Sequence, residues 1–354
     1  MGIFSFNEFI IEKLGVSKPS LVFSSILENR TYYNFRDFII SDKKTLSKVD
    51  EINYTLLRPL INSSNINDYS KFPVVKFEFM LNFNKLKNKD FKKKYPDSNK
   101  NIATGGVASY FGNINWSGYS KIVNPIKEVS KQGIVLNLGI DIEINEDFDI
   151  ESISENELLK DDIGSIIHHE LNHCFEHYVR VIKSKKIRPE NRSFNTTLTW
   201  GPNIWKFPNS IYKFWSKIIY YLYLSENHEV RATVQQIGYL IRKYPKKDLN
   251  EFLIYKTADI MEKFDYMDYY NKLIEVIKTH EPYIGIEEDV ANRLKDMWVT
   301  TYKKECEQQR VKPVIPISTL KKMDCKEFLK YWQKRINSAG QKIKRKAHAI
   351  KSSL

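Results

Sequence analysis

The stretch "GIVLNLGIDIEI" places Ile134, Leu136, Leu138, Ile140, Ile142 and Ile144 at every second position, with Val135, Asn137, Gly139, Asp141 and Glu143 between them. Successive side chains of a strand point to opposite faces, so this pattern specifies a strand with one fully apolar face. "VVKFEFMLNF" repeats the alternation. Val75, Phe77, Phe79, Leu81 and Phe83 stand against Lys76, Glu78, Met80 and Asn82. From about residue 156 onward the apolar spacing turns helical and largely stays so. Strands first and helices second predict an α+β fold, in which a small antiparallel or mixed sheet precedes a helical core and a helical C-terminal region.

The remaining stretches are read more coarsely. Residues 1–20 form a short amphipathic helix by pattern, with Phe6, Phe9, Ile10 and Leu14 on one face. Residues 62–72 read as a polar loop, 84–101 as a basic loop, and "TGGVASYFGNINWSGY" (104–119) as turns between strands. The expected organisation is an N-terminal segment (1–70), a central domain (71–245) and a helical C-terminal region (246–354). In that last region Trp298, Phe328 and Trp332 read as core. "HEPYI" (280–284) has a His-Glu pair but no second histidine at the spacing a metal needs.

Composition narrows the function classes. No apolar run approaches the roughly 20 residues of a membrane span, and the longest candidate, Ile218 to Leu224, carries three tyrosines. No membrane partner is expected. "MGIFSFNEFIIEKLG" lacks a basic n-region and a cleavage site, so no secretory signal is expected. Phe6 stands where a myristoylation motif after Gly2 needs Ser or Thr. Cys174, Cys306 and Cys325 are odd in number and far apart, which suggests neither a disulfide framework nor a cysteine zinc site and fits a reducing compartment. The net charge of +13 fits a Lys-, Asn-, Ile- and Tyr-rich product of an AT-rich genome as readily as a functional basic surface.

The segment "SIIHHELNHCFEHYVR" (165–180) concentrates four of the seven histidines. Within it lies His169-Glu170-Leu171-Asn172-His173. On a helix, residues four apart share a face about 6 Å apart along the axis, so both imidazoles reach one metal ion. Glu170 is then placed to hold a metal-bound water and take its proton. Ile163, Ile167, Leu171, Cys174 and Tyr178 supply an apolar stripe that fixes such a helix against the sheet. His177 lies too far along a helix from His169 to share its ion, and the pair His173/His177 has Cys174 where the glutamate belongs. His168 and His177 therefore read as supporting or surface residues.

A catalytic zinc takes three protein ligands and keeps one position open. Glu176 and Val179 stand where the metzincin extension needs Gly and His, so a third histidine is excluded there. The alternative is a glutamate on a later helix. In "SENHEVRATVQQIGYLIRK" (225–243), Ser225 reads as a helix N-cap, and Glu226 and Glu229 both lie in the first turns. Glu229 is preferred, because Ala232 on its face lets the helix approach closely and Val230, Val234, Ile237 and Ile241 form a packing stripe. Glu226 is the runner-up, since an acid at a helix start is also explained by the helix dipole. His228 and Arg231 flank the ligand and are expected to face solvent.

"HHELNHCFEHY" followed by "ENHEVRA" resembles the gluzincin class of zinc metallopeptidases, in particular the HExxH proteins of tailed bacteriophages. The resemblance covers roughly residues 130–245; "FNEFIIEKLG" and the tail "FLKYWQKRINSAGQKIKRKAHAI" are similar to phage-encoded ends only loosely. It implies a zincin-like core, Zn2+ held by His169, His173 and Glu229, and Glu170 as the base that activates water on a peptide bond. It also implies a protein or peptide substrate, and a location in the host-cell cytoplasm or the virion. The strand at 134–144 would lie along the cleft as an edge and bind an extended substrate. The tail, residues 334–354, carries seven Lys/Arg and no acid. It reads either as a frayed terminus or as a contact for nucleic acid or an acidic virion protein. The rival to an enzyme is a structural or interaction protein of a virus particle that uses this domain as scaffold. A zinc hydrolase acting on something other than peptides is a third reading.

Overall fold

The computed structural model describes residues 18–41, 45–52, 75–95, 102–110, 134–148, 163–173, 207–280, 286–308, 313 and 315–354. The expected helix over 1–20 lies almost wholly outside these residues, as do the loop at 62–72, Cys174, His177 and Tyr178. The fold is α+β, mostly helical, with one mixed sheet. The chain packs into two compact units. One comprises Met1–Arg188, Val234–Lys247 and Ala349–Leu354; the other comprises Pro189–Thr233 and Asp248–His348.

The first unit holds helix α1 (Lys18–Ile40), strands β1 (Thr45–Ile52), β2 (Val75–Leu86), β3 (Ile102–Tyr110) and β4 (Ile134–Asn145), and the helices α2 (Asn88–Lys94) and α3, described over 163–173. The strand order is β1-β2-β4-β3. β2 pairs with β4 in parallel, and the outer pairs are antiparallel. The parallel register sets Phe79, Leu81 and Phe83 beside Leu138, Ile140 and Ile142. All six are fully buried, and burying each such side chain contributes about 1.5–3 kcal/mol. Phe35 and Phe38 of α1 meet Phe83 with ring centroids 5.4 and 5.3 Å away. The intervening residues make a polar ladder on the other face, where Asn82 donates to Asp141 (2.8 Å) and Asn84 to Glu143 (3.5 Å). The alternation read in the sequence is thus the alternation of the two faces.

Three expectations are corrected here. β4 lies inside the sheet, between β2 and β3, and is not an edge. The stretch read as turns contains β3, whose pairing from Ile102↔Ile144 to Tyr110↔Leu136 runs through the backbone. Its small residues, "IATGGVASY", carry no apolar alternation to announce a strand. The basic loop contains the end of β2 and helix α2. In α2, Phe91 is buried, Asp90 sits in the first turn and Lys92, Lys93 and Lys94 sit in the last, where each charge suits the helix dipole. Lys94 and the Tyr95 hydroxyl both donate to Glu143.

The second unit is helical: α4 (Asn209–Leu224), the first turns of α5 (Asn227–Lys243), a 3-10 turn (Leu249–Glu251), α6 (Leu253–Glu262), α7 (Tyr266–Lys278), α8 (Glu287–Gln308), α9 (Ile317–Lys322) and most of α10 (Cys325–Ser352). Its core includes Trp215, Trp298, Phe328 and Trp332; Phe328 lies 5.2 Å from Trp298 and 6.2 Å from Trp215 by ring centroid. α10 starts at a reciprocal cap in which the Glu327 amide donates to Asp324 and the Asp324 amide to Glu327. This helix continues to Ser352, so the basic tail is not a frayed terminus. Among the described residues, no helix is long and apolar enough to cross a membrane.

Candidate metal centre

α3 buries Ile163, Ile167 and Leu171 on one side. Its start lies against the C-terminal part of α5. Gly164 allows this: a Cβ there would stand 2.3 Å from the Tyr239 hydroxyl. Gln236 donates to Ser165 at 3.3 Å. The buried His168 ring stacks on Tyr239 at 4.5 Å, and the Tyr239 hydroxyl donates to Glu28 at 2.8 Å. Burial first, and the nearby Arg242 charge second, hold His168 far below the usual imidazole range, at about 3. His168 is therefore neutral near pH 7 and acts as a packing residue of α3.

His169 and His173 turn their Nε2 atoms toward each other at 3.2 Å, with the two rings at 79°. Two nitrogens bound to one tetrahedral zinc at the usual Zn–N length stand roughly 3.3–3.4 Å apart. The pair already has that spacing. His173 is buried, whereas His169 and Glu170 are partly exposed, so the glutamate between the two histidines stays reachable.

α5 brings the carboxylate. Ser225, expected as its N-cap, instead closes α4, donating through Oγ to the Leu222 carbonyl at 2.6 Å. The first helical bond of α5 runs from the Val230 amide to the Glu226 carbonyl at 2.8 Å. Val230, Ala232, Val234, Ile237 and Ile241 are all buried, which fixes the helix rotation and turns Glu229 inward. His169, His173 and Glu229 each offer one ligand atom, and these atoms lie within 4.8 Å of one another. Two imidazole nitrogens and one carboxylate oxygen are the donor set of a three-ligand zinc site with one position open. Glu226 is outside that group and faces His228.

His228 departs from expectation. It is buried at 8% exposure, between Glu226 at 3% and Glu229 at 2%. Its Nδ1 lies 3.4 Å from Glu226 Oε2 and its Nε2 3.2 Å from Glu229 Oε1. Two buried carboxylates need donors, and this ring faces both. Arg231 is exposed, as expected. Tyr220 of α4 gave no sequence signal, because it sits in an aromatic-rich run without a distinguishing period. The residue is 43% exposed. Desolvation of its hydroxyl first, and the Glu229 charge second, push its ionisation up. The hydroxyl therefore stays protonated near pH 7. No protein-family model, curated protein or solved structure matches the chain.

Proposed function

We propose that the chain is a zinc-dependent peptidase of the gluzincin type, of tailed-phage origin, with a zincin-like core in which His169, His173 and Glu229 hold the metal. The observation that carries this reading is the His169/His173/Glu229 group, with its two facing Nε2 atoms, and Glu170 between the histidines. Zinc held by these residues would polarise a carbonyl and lower the pKa of bound water. Glu170 takes the proton of the attacking water and passes it to the leaving amine.

A second reading, a virion interaction protein, draws on α10. Lys326, Lys330, Lys334, Lys342 and Arg345 are exposed along it and are open to an acidic protein or nucleic acid. The test is Glu170→Gln in a screen of peptide substrates, with metal content measured alongside. The peptidase reading expects zinc retained and turnover lower by a factor of about 100 or more. A zinc-loaded wild-type protein that cleaves no peptide, with no functional change on Glu170→Gln, sinks it in favour of the scaffold.

A further inference from the structure

We propose that His228 and Glu226 hold the Glu229 carboxylate in its metal-binding pose, with His228 contacting the ligand and Glu226 anchoring His228. This inference rests on the metal centre proposed above. A carboxylate offers two oxygens. Here His228 Nε2 lies 3.2 Å from Glu229 Oε1. A donor at one oxygen fixes the rotation of the carboxylate, so its pose is set before a metal arrives. The orientation of the imidazole is fixed at its far end, where Nδ1 lies 3.4 Å from Glu226 Oε2.

Glu226 is in turn placed from α10. Arg335 donates through Nε to the Ser225 carbonyl at 3.4 Å, next to Glu226 in the chain. Burial lowers the Arg335 guanidinium below its ordinary value, and the Glu226 charge opposes that shift, so the two side chains lie within electrostatic reach. Trp332 fixes the guanidinium from beneath, 5.5 Å from its ring centroid. An acid that merely suits a helix start lies in solvent, where the dipole interaction needs no partner. Glu226 and His228 are instead buried and directed along a line that ends at the ligand. Their position explains why two acids stand so close together at the start of one helix: one binds, and the other fixes the residue that orients it.

Both are positioning residues, so the test reads metal binding rather than turnover. The full-length protein is stripped of metal, and Zn2+ affinity is measured by competition with a chromophoric chelator for wild type, His228→Leu, His228→Gln and Glu226→Gln. Co2+ absorption spectra report ligand geometry, and melting of the metal-free forms reports folding. His228→Leu is expected to bind Zn2+ about 10–100-fold more weakly, the usual effect of removing a group that orients a ligand. Glutamine at 228 places an amide N–H near the Nε2 position and is expected to restore affinity to within about threefold. Glu226→Gln keeps its shape and is expected to weaken binding about 3–10-fold and to alter the Co2+ spectrum. If His228→Leu does not fold without metal, Glu226→Gln decides. Wild-type affinity and spectra in His228→Leu and Glu226→Gln overturn the positioning role and leave the centre standing. A wild-type protein that binds neither Zn2+ nor Co2+ overturns the centre, and this inference with it.

Discussion

Gly164 shows how much of the ligand helix depends on an atom that is not there. A Cβ at this position would meet the Tyr239 hydroxyl at 2.3 Å and its Cζ at 2.6 Å. The ring cannot simply retreat, because Glu28 holds its hydroxyl and His168 stacks on its face. Gly164→Ala is therefore expected to destabilise the protein by about 1–3 kcal/mol, the usual range for overpacking. A urea titration measures it. The double variant with Tyr239→Leu should recover part of that loss, because the space the methyl needs is then free; strict additivity would disprove the contact. Nothing in "DDIGSIIHHE" marks this glycine as special. The facing of His169 and His173 was legible because residues four apart on one helix share a face. His228 was misread because its burial depends on carboxylates that only the folded chain turns inward.

Elements announced themselves when their own side chains carried a period. β2 and β4 did, since each buries one face of aliphatic and aromatic residues. β3 did not, because its strand character is supplied by the backbone of β4, and α2 did not, because only Phe91 of its seven residues is buried. The basic tail misled in the opposite sense, since its charge suggests a solvated end. In the structure Lys344 bonds Asp259 and Glu262 at 2.5 Å each, Lys351 donates to the Lys247 carbonyl, and Arg335 donates to Ser225. Asn337 of the same helix donates to the carbonyls of Met261, Glu262 and Phe264 at 3.1, 2.8 and 2.9 Å. Between Asn337 and Lys344 sits Gly340, where a Cβ would stand 2.4 Å from the Glu262 amide and 2.5 Å from the Ala258 carbonyl. Helix propensity alone says that Gly340→Ala stabilises by up to ~1 kcal/mol. The contact says the reverse: α10 must move off α6, at a loss of about 3 kcal/mol. The sign of the change in urea midpoint decides, and a more stable variant would refute the close packing of these two helices.

At the scale of the molecule, sequence reading divides a chain into consecutive segments, and compaction does not respect them. The strip Val234–Lys247 and the last residues, Ala349–Leu354, belong with the sheet-bearing unit, although each is separated from it by long helical stretches. α5 is continuous, yet its first turns, which carry His228 and Glu229, belong to one unit and its remainder to the other. Patterns of apolar spacing describe a helix but not a change of neighbours halfway along it. The proposed metal ligands likewise come from distant parts of the chain, His169 and His173 on α3 and Glu229 on α5, and the ordering they need exists only in the folded state. Zinc that binds the folded chain and not the unfolded one stabilises by mass action. At free Zn2+ about 100-fold above the dissociation constant the gain is about 2.7 kcal/mol, which is several degrees in melting temperature. Chelation with EDTA should reverse the gain, and His173→Ala and Glu229→Gln should each abolish it in thermal melts monitored by circular dichroism. A zinc-dependent rise that survives Glu229→Gln unchanged would remove Glu229 from the ligand set and return the choice to Glu226.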